Sequence, residues 1–143
     1  MDREIKFRGK NALSGHWVYG FLIKKKNRKN GKIYFAIAVD DCSLANTIPV
    51  HAETVGEFTG LKDVDGVDVY EGDIVELNFD DGKRRRFISY AQPTEGFTYP
   101  AFDLEPFDLF INPLSDDLIK SLDIIVIGNI HDNPELLEAD KNE

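Results

Sequence analysis

The sequence predicts a mainly β protein, a small barrel or sandwich of short strands that ends in a short helix. Three observations predict it. Apolar and polar residues alternate with period two in segment after segment, the mark of half-buried strands. Turn residues recur roughly every 8 to 12 positions, with no long helical pattern between them. Four prolines between Gln92 and Pro113 exclude a long helix or a central strand from that stretch.

The elements follow in order. Ile5 and Phe7 alternate with Glu4, Lys6 and Arg8, and Asn11 to Gly15 forms a turn. Trp17, Tyr19, Phe21 and Ile23 share one face of the next strand, opposite Val18, Gly20 and Leu22. Ile33 to Val39 repeats the alternation. Between the two lies Lys24 to Lys32, which contains the turn dipeptide Asn30-Gly31, so a hairpin with a basic tip is expected. Asp40 to Thr47 is polar and reads as a loop. Pro49, between Ile48 and Val50, confines its strand to an edge or a bulge.

Thr54 to Thr59 is extended, with Gly60 ending it, and Asp63 to Gly66 is a turn before Val67 and Val69. Glu71-Gly72-Asp73 turns the chain into Ile74 to Phe79, where Val75, Leu77 and Phe79 share a face. Asp80-Asp81-Gly82 closes a hairpin onto Arg84 to Tyr90. Gln92 to Pro113 is an aromatic loop or a ragged edge. Ser115 suits the N-cap of a short helix beginning at Asp116. Ile124 to Ile127 is a continuous apolar run, the pattern of a strand covered on both faces. Asn133-Pro134 places an N-cap residue before proline at the start of a last helix.

The 143 residues suit one domain or two small β modules. No apolar run reaches the roughly 20 residues of a membrane span, and Met1 to Glu4 lacks a secretory pattern. Cys42 is alone, which excludes an internal disulfide. The cytoplasm is the expected compartment. Net charge is −9, unevenly spread. Residues 1–39 carry ten Lys/Arg against Asp2 and Glu4, a balance of +8, whereas residues 40–143 balance at −17. A basic head on an acidic body implies mutual neutralisation, within the chain or between copies, or an anionic partner for the head.

Residues that invite a chemical reading have simpler ones. Asp63, Asp65 and Asp68 resemble a calcium loop, but counted from Asp63 the glycine needed sixth falls fourth, at Gly66, and Ile74 stands twelfth in place of a glutamate, so a turn with solvated carboxylates is expected. Glu71 and Asp73 beside Tyr70 would suit acid–base work, yet a turn before a strand uses Gly72 and Asp73 for backbone reasons. His16, His51 and His131 are dispersed, and neither a nucleophile elbow nor a phosphate-binding glycine loop is present. Cys42 as a nucleophile would need a histidine partner.

Two binding surfaces stand out. Lys24, Lys25, Lys26, Arg28 and Lys29, with Trp17, Tyr19 and Phe21 on the adjoining strand, would grip a nucleic-acid backbone or another acidic partner. A charged hairpin tip also serves solubility alone. Arg84 to Arg86 adds little, because alternation turns Arg85 away. Phe97, Tyr99, Phe102, Phe107 and Phe110, set among Asp103, Glu105 and Asp108, form an interface patch if exposed, or fold back onto the barrel.

Three segments carry a family resemblance: Arg3 to Lys10; Glu53 to Asp63, continuing through Gly66 to Tyr70-Glu71-Gly72-Asp73-Ile74-Val75; and Val126 to Leu137. In these the chain resembles the YopX-like proteins of bacteriophages, prophages and other mobile elements. The interior from Asp81 to Leu122 does not share the pattern. The resemblance implies a C-terminal SH3-like β-barrel preceded by a smaller β unit, and it carries no activity, cofactor or catalytic residue. The expected division is 1–52 for the basic-tipped hairpin unit, 53–138 for the barrel and 139–143 for a tail.

The expectation is therefore a non-enzymatic accessory protein with no catalytic, cofactor-binding or metal-binding residues, no membrane and no small-molecule substrate. It is a protein-binding or assembly module that self-associates as a homo-oligomer, basic hairpin against acidic C-terminal surface. The alternative is a nucleic-acid binder that uses the hairpin tip. A third reading is an acidic body that mimics DNA toward a host DNA-binding protein.

Overall fold

Alternation from Trp17 and from Ile33 produces the expected hairpin in the computed structural model, which describes residues 4–39, 47–90, 101–106, 108 and 110–140. Its strands are β2 (Trp17–Lys26) and β3 (Ile33–Ala38), paired from Phe21↔Ala38 to Lys26↔Ile33. The tip is shaped by Asn27. Its amide donates to the Lys32 carbonyl at 2.8 Å, and its Oδ1 accepts from the Lys29 amide at 2.8 Å. The chain divides into two units, residues 1–58 and 59–143.

In the first unit the strand order is β4-β3-β2-β1-β5. β1 (Phe7–Lys10) pairs antiparallel with the first half of β2 through Arg8↔Tyr19 and Lys10↔Trp17, and with β5 (Gly56–Lys62) through Phe7↔Glu57 and Arg8↔Gly56. β4 (Thr47–Val50) lies at the edge beside β3 and carries the exposed Pro49, where a residue without an N–H costs no ladder bond. The loop expected over Asp40 to Thr47 falls outside the described residues up to position 46. β2 changes partner at Gly20, with β1 before it and β3 after it. A Cβ at Gly20 would collide with the Ala38 carbonyl, so only glycine permits that closeness. Ile37, Ala36, Ala38, Val50 and Phe58 are the buried apolar residues.

The second unit starts inside β5. That strand does not end at Gly60 but runs to Lys62, with the glycine at φ +87° inside it. β6 (Asp68–Tyr70) lies beside it, bound by the Thr59 hydroxyl, which donates to the Val69 carbonyl at 2.8 Å. A second antiparallel sheet has the order β10-β7-β8-β9. β7 (Asp73–Phe79) and β8 (Gly82–Tyr90) form the hairpin expected at Asp80-Asp81-Gly82. Val75 and Leu77 enter the core with Val69, Ile88, Leu104, Ile119 and Ile124, and Phe79 packs against it. Within the proline-rich stretch, β9 (Phe102–Glu105) is a four-residue strand at the sheet edge.

Ser115 caps α1 (Asp116–Ser121), its Oγ accepting from the Leu118 amide at 3.1 Å. β10 (Ile125–Asn129) is a strand, but it is partly exposed along its whole length rather than covered on both faces, because it forms the other edge of the sheet. Asn133 precedes α2 (Glu135–Asp140), yet its Oδ1 accepts from the Asn129 amide at 3.2 Å and so ties the end of β10. Both sheets are open among the described residues, so a closed barrel is not formed there.

Candidate nucleic-acid interface

Strand register collects cations and aromatics on one face of the first unit. Directly paired residues of antiparallel strands project to the same side. Arg8 and Lys10 therefore share a face with Tyr19 and Trp17. Alternation along β2 continues that face through Phe21 and Ile23 to Lys25, whose Nζ donates to the Thr47 hydroxyl at 3.0 Å. The rings and cations meet directly: the Arg8 guanidinium lies 4.6 Å from the Trp17 ring centre, Lys10 Nζ lies 5.5 Å from it, and Lys6 Nζ lies 4.7 Å from the Phe58 ring. Tyr19 and Phe21 are 47% and 48% exposed.

The hairpin tip carries further cations, of which Lys24 and Lys26 alternate to the side opposite Lys25. Lys24, Lys26, Arg28 and Lys29 are exposed, as is Lys32, and Lys25 is half-buried over Thr47. Ion pairs of the described residues include Lys6–Glu4, Lys62–Asp68, Lys83–Glu76, Arg84–Asp81, Arg85–Glu76 and Lys120–Asp116, none of them at the tip. The tip cations thus point into solvent, with no carboxylate among the described residues to neutralise them. Sequence reasoning named the tip and the aromatic strand but missed Lys6, Arg8 and Lys10. Their period-two spacing was the available signal, and what it lacked was the register that sets them against Trp17 and Tyr19.

The other expected patch divides. Phe102 is buried, with its ring edge-on to Tyr90 at 5.3 Å, whereas Phe110 is 93% exposed. Phe97, Tyr99 and Phe107 lie outside the described residues, as does Cys42.

The acidic motifs act on the backbone. Asp63 is buried rather than solvated. Its Oδ1 accepts from the Asp65 and Val67 amides, and its Oδ2 accepts from the Val126 amide, each at 2.9 Å. Asp73 is buried and accepts from the Tyr70 amide at 2.7 Å, while Gly72 adopts φ +93°. Among the described residues no cluster of three or more His, Cys, Asp or Glu is placed to hold a metal ion. Asp103 is a buried carboxylate whose titration is displaced: burial, then repulsion from Glu105, pushes it above the usual range. No described helix is long and apolar enough to cross a membrane.

Fold and motif placement define a mainly β protein of two small units, with its most specific sequence blocks spent on turns and strand ties. The chain belongs to the YopX protein family, whose model matches residues 6–138. It is also similar to a solved structure, the crystal structure of protein EF1440 from Enterococcus faecalis. The two share 25% identity at a TM-score of 0.58, over 94% of this chain and 98% of that one. No curated protein matches the chain.

Proposed function

We propose that this protein is a non-enzymatic accessory protein of a phage or other mobile element that binds nucleic acid through its first unit. The observation that carries the reading is the shared face of Lys6, Lys10 and Lys25 with Trp17, Tyr19 and Phe21 around the buried Arg8, continued by tip cations that meet no carboxylate among the described residues. Lysine and arginine in such a stripe release counterions from phosphates, and neighbouring rings offer surfaces to bases. The short antiparallel strands β6 to β10 act as an SH3-like support in the bacterial cytoplasm.

The test is fluorescence anisotropy with labelled DNA across a salt series. Binding at low salt is expected, and replacing Lys24, Lys26, Arg28 and Lys29 by Gln should weaken it. The log–log salt dependence should also flatten, by about 0.7 for each single-strand phosphate no longer neutralised. No binding at low salt would refute the reading.

A second reading is self-association, the tip of one copy meeting the acidic surface of another. It is favoured by Asp65, Asp80, Asp81, Asp116, Asp117 and Asp132, all exposed. Light scattering coupled to size exclusion should then show an oligomer that dissociates in high salt. A monomer at every salt concentration would dispose of it.

A further inference from the structure

We infer that the far end of the β2–β3 hairpin enters the major groove of duplex DNA; this rests on the nucleic-acid reading above and assigns the form of the ligand. Pairing of β1 with β2 stops at Phe7↔Gly20, and pairing of β4 with β3 stops at Phe35↔Val50. Beyond Lys24↔Phe35 the hairpin continues as a ribbon two strands wide, with no third strand beside it among the described residues. Every residue from Lys26 to Ile33 is exposed. The end of the ribbon is also held in one shape. Besides the Asn27 bonds given above, the Gly31 amide donates to the Asn27 carbonyl at 2.8 Å, and the Lys32 amide donates to Asn30 Oδ1 at 2.9 Å.

Dimensions select the groove. From Lys24 to Asn27 an extended strand advances about 10 Å. Arg28 and Lys29, which follow, therefore reach past the roughly 8.5 Å depth of the major groove. A strand layer with its side chains occupies about 10 Å, the spacing at which sheets stack. That thickness enters a major groove about 12 Å wide and is refused by a minor groove about 6 Å wide. Chemistry agrees. From Lys24 to Ile33 there is no aromatic ring for an unstacked base to rest on, and no carboxylate. The asparagine oxygens in this stretch already accept from the tip's own amides. Its side chains thus offer a ligand donors: the cations of Lys24, Lys26, Arg28, Lys29 and Lys32, with the amide groups of Asn27 and Asn30. The major-groove edges present acceptors to match, N7 and O6 of guanine, N7 of adenine and O4 of thymine. Lys24 and Lys26 lie nearer the base of the ribbon, at the level of the phosphates, and Arg28 and Lys29 at the level of the base edges.

The experiment uses the full chain, a labelled mixed-sequence duplex and labelled oligothymidylate of equal length. The duplex should bind roughly fivefold or more tightly than the single strand. R28Q and K29Q should each weaken duplex binding by roughly threefold or more and flatten its log–log salt dependence by about 0.9. K120Q, an exposed change on α1, should alter neither. Unchanged circular dichroism of R28Q and K29Q shows that the fold is intact. Dimethyl sulfate then reads the groove, because it methylates guanine N7 in the major groove and adenine N3 in the minor groove. Saturating protein should protect N7 and leave N3 reactive. Protection of N3 instead, equal affinity for the single strand, or parent-like duplex binding by both R28Q and K29Q overturns the inference and leaves the nucleic-acid reading standing. Displacement of the duplex by poly-glutamate as readily as by unlabelled duplex overturns it in favour of an acidic polypeptide. Absence of binding to either form of DNA overturns both readings.

Discussion

Removing the Asp63 carboxylate should cost the second unit a large part of its stability. Its two oxygens accept three backbone bonds, each at 2.9 Å. A hydrogen bond to a charged group contributes about 1.5–3 kcal/mol net. Asp65 and Val67 are exposed, so water replaces much of what their amides lose in D63A. The Val126 amide sits on a partly buried strand and keeps its loss. The expected destabilisation of D63A is therefore about 2–4 kcal/mol, a large share of the roughly 5–15 kcal/mol that holds a domain folded. At a urea dependence of about 1–3 kcal/mol per molar, the midpoint falls by about 1–2 M. D63N retains an acceptor on one side and presents an amide donor on the other, so it should lie between D63A and the parent. Urea unfolding followed by circular dichroism measures both, and hydrogen exchange should show selective loss of protection at the Val126 amide. A D63A midpoint within about 0.3 M of the parent, with Val126 still protected, would show that the tie contributes little.

Two further changes test other parts of the fold. Asp103 is buried with its Oδ1 unbonded among the described residues and its pKa raised by burial and then by Glu105. In the window between its ordinary value of 3.8 and the raised folded value, the folded state holds more protons than the unfolded one, so stability is greatest below the window and falls as pH rises through it. D103N should flatten that dependence and raise stability at neutral pH by about 1 kcal/mol; a lowered thermal midpoint at pH 7 would contradict this. G20A should break the exchange of partners along β2, because its methyl group meets the Ala38 carbonyl. A loss of about 3 kcal/mol or more is expected by thermal unfolding, and a parent-like midpoint would mean that β2 bends without that close approach.

Much of the fold is legible in the sequence because turns and alternation are local. Asn27 to Lys32, Asp80 to Gly82 and Ser115 sit where their residue types require them. The misreadings arise where a distant partner decides. Gly60 looks like a terminator, but β6 gives β5 a neighbour beyond it. Ile124 to Ile127 looks like a doubly covered strand because composition does not reveal that β10 is an edge. Asp63 looks solvated because its third bond comes from a residue 63 positions away. The candidate site divides in the same way. Lys24 to Lys29 and the aromatic strand are read directly, whereas Lys6, Arg8 and Lys10 join them only through strand pairing.

The tie from Asp63 to Val126 joins two of the three blocks by which kinship is recognised. Those blocks supply turns and strand ties, and they also carry Lys6, Arg8 and Lys10, whereas β2 and its tip lie outside them. Comparison of the β2 tips, one member against another, tests whether the proposed binding face travels with the blocks.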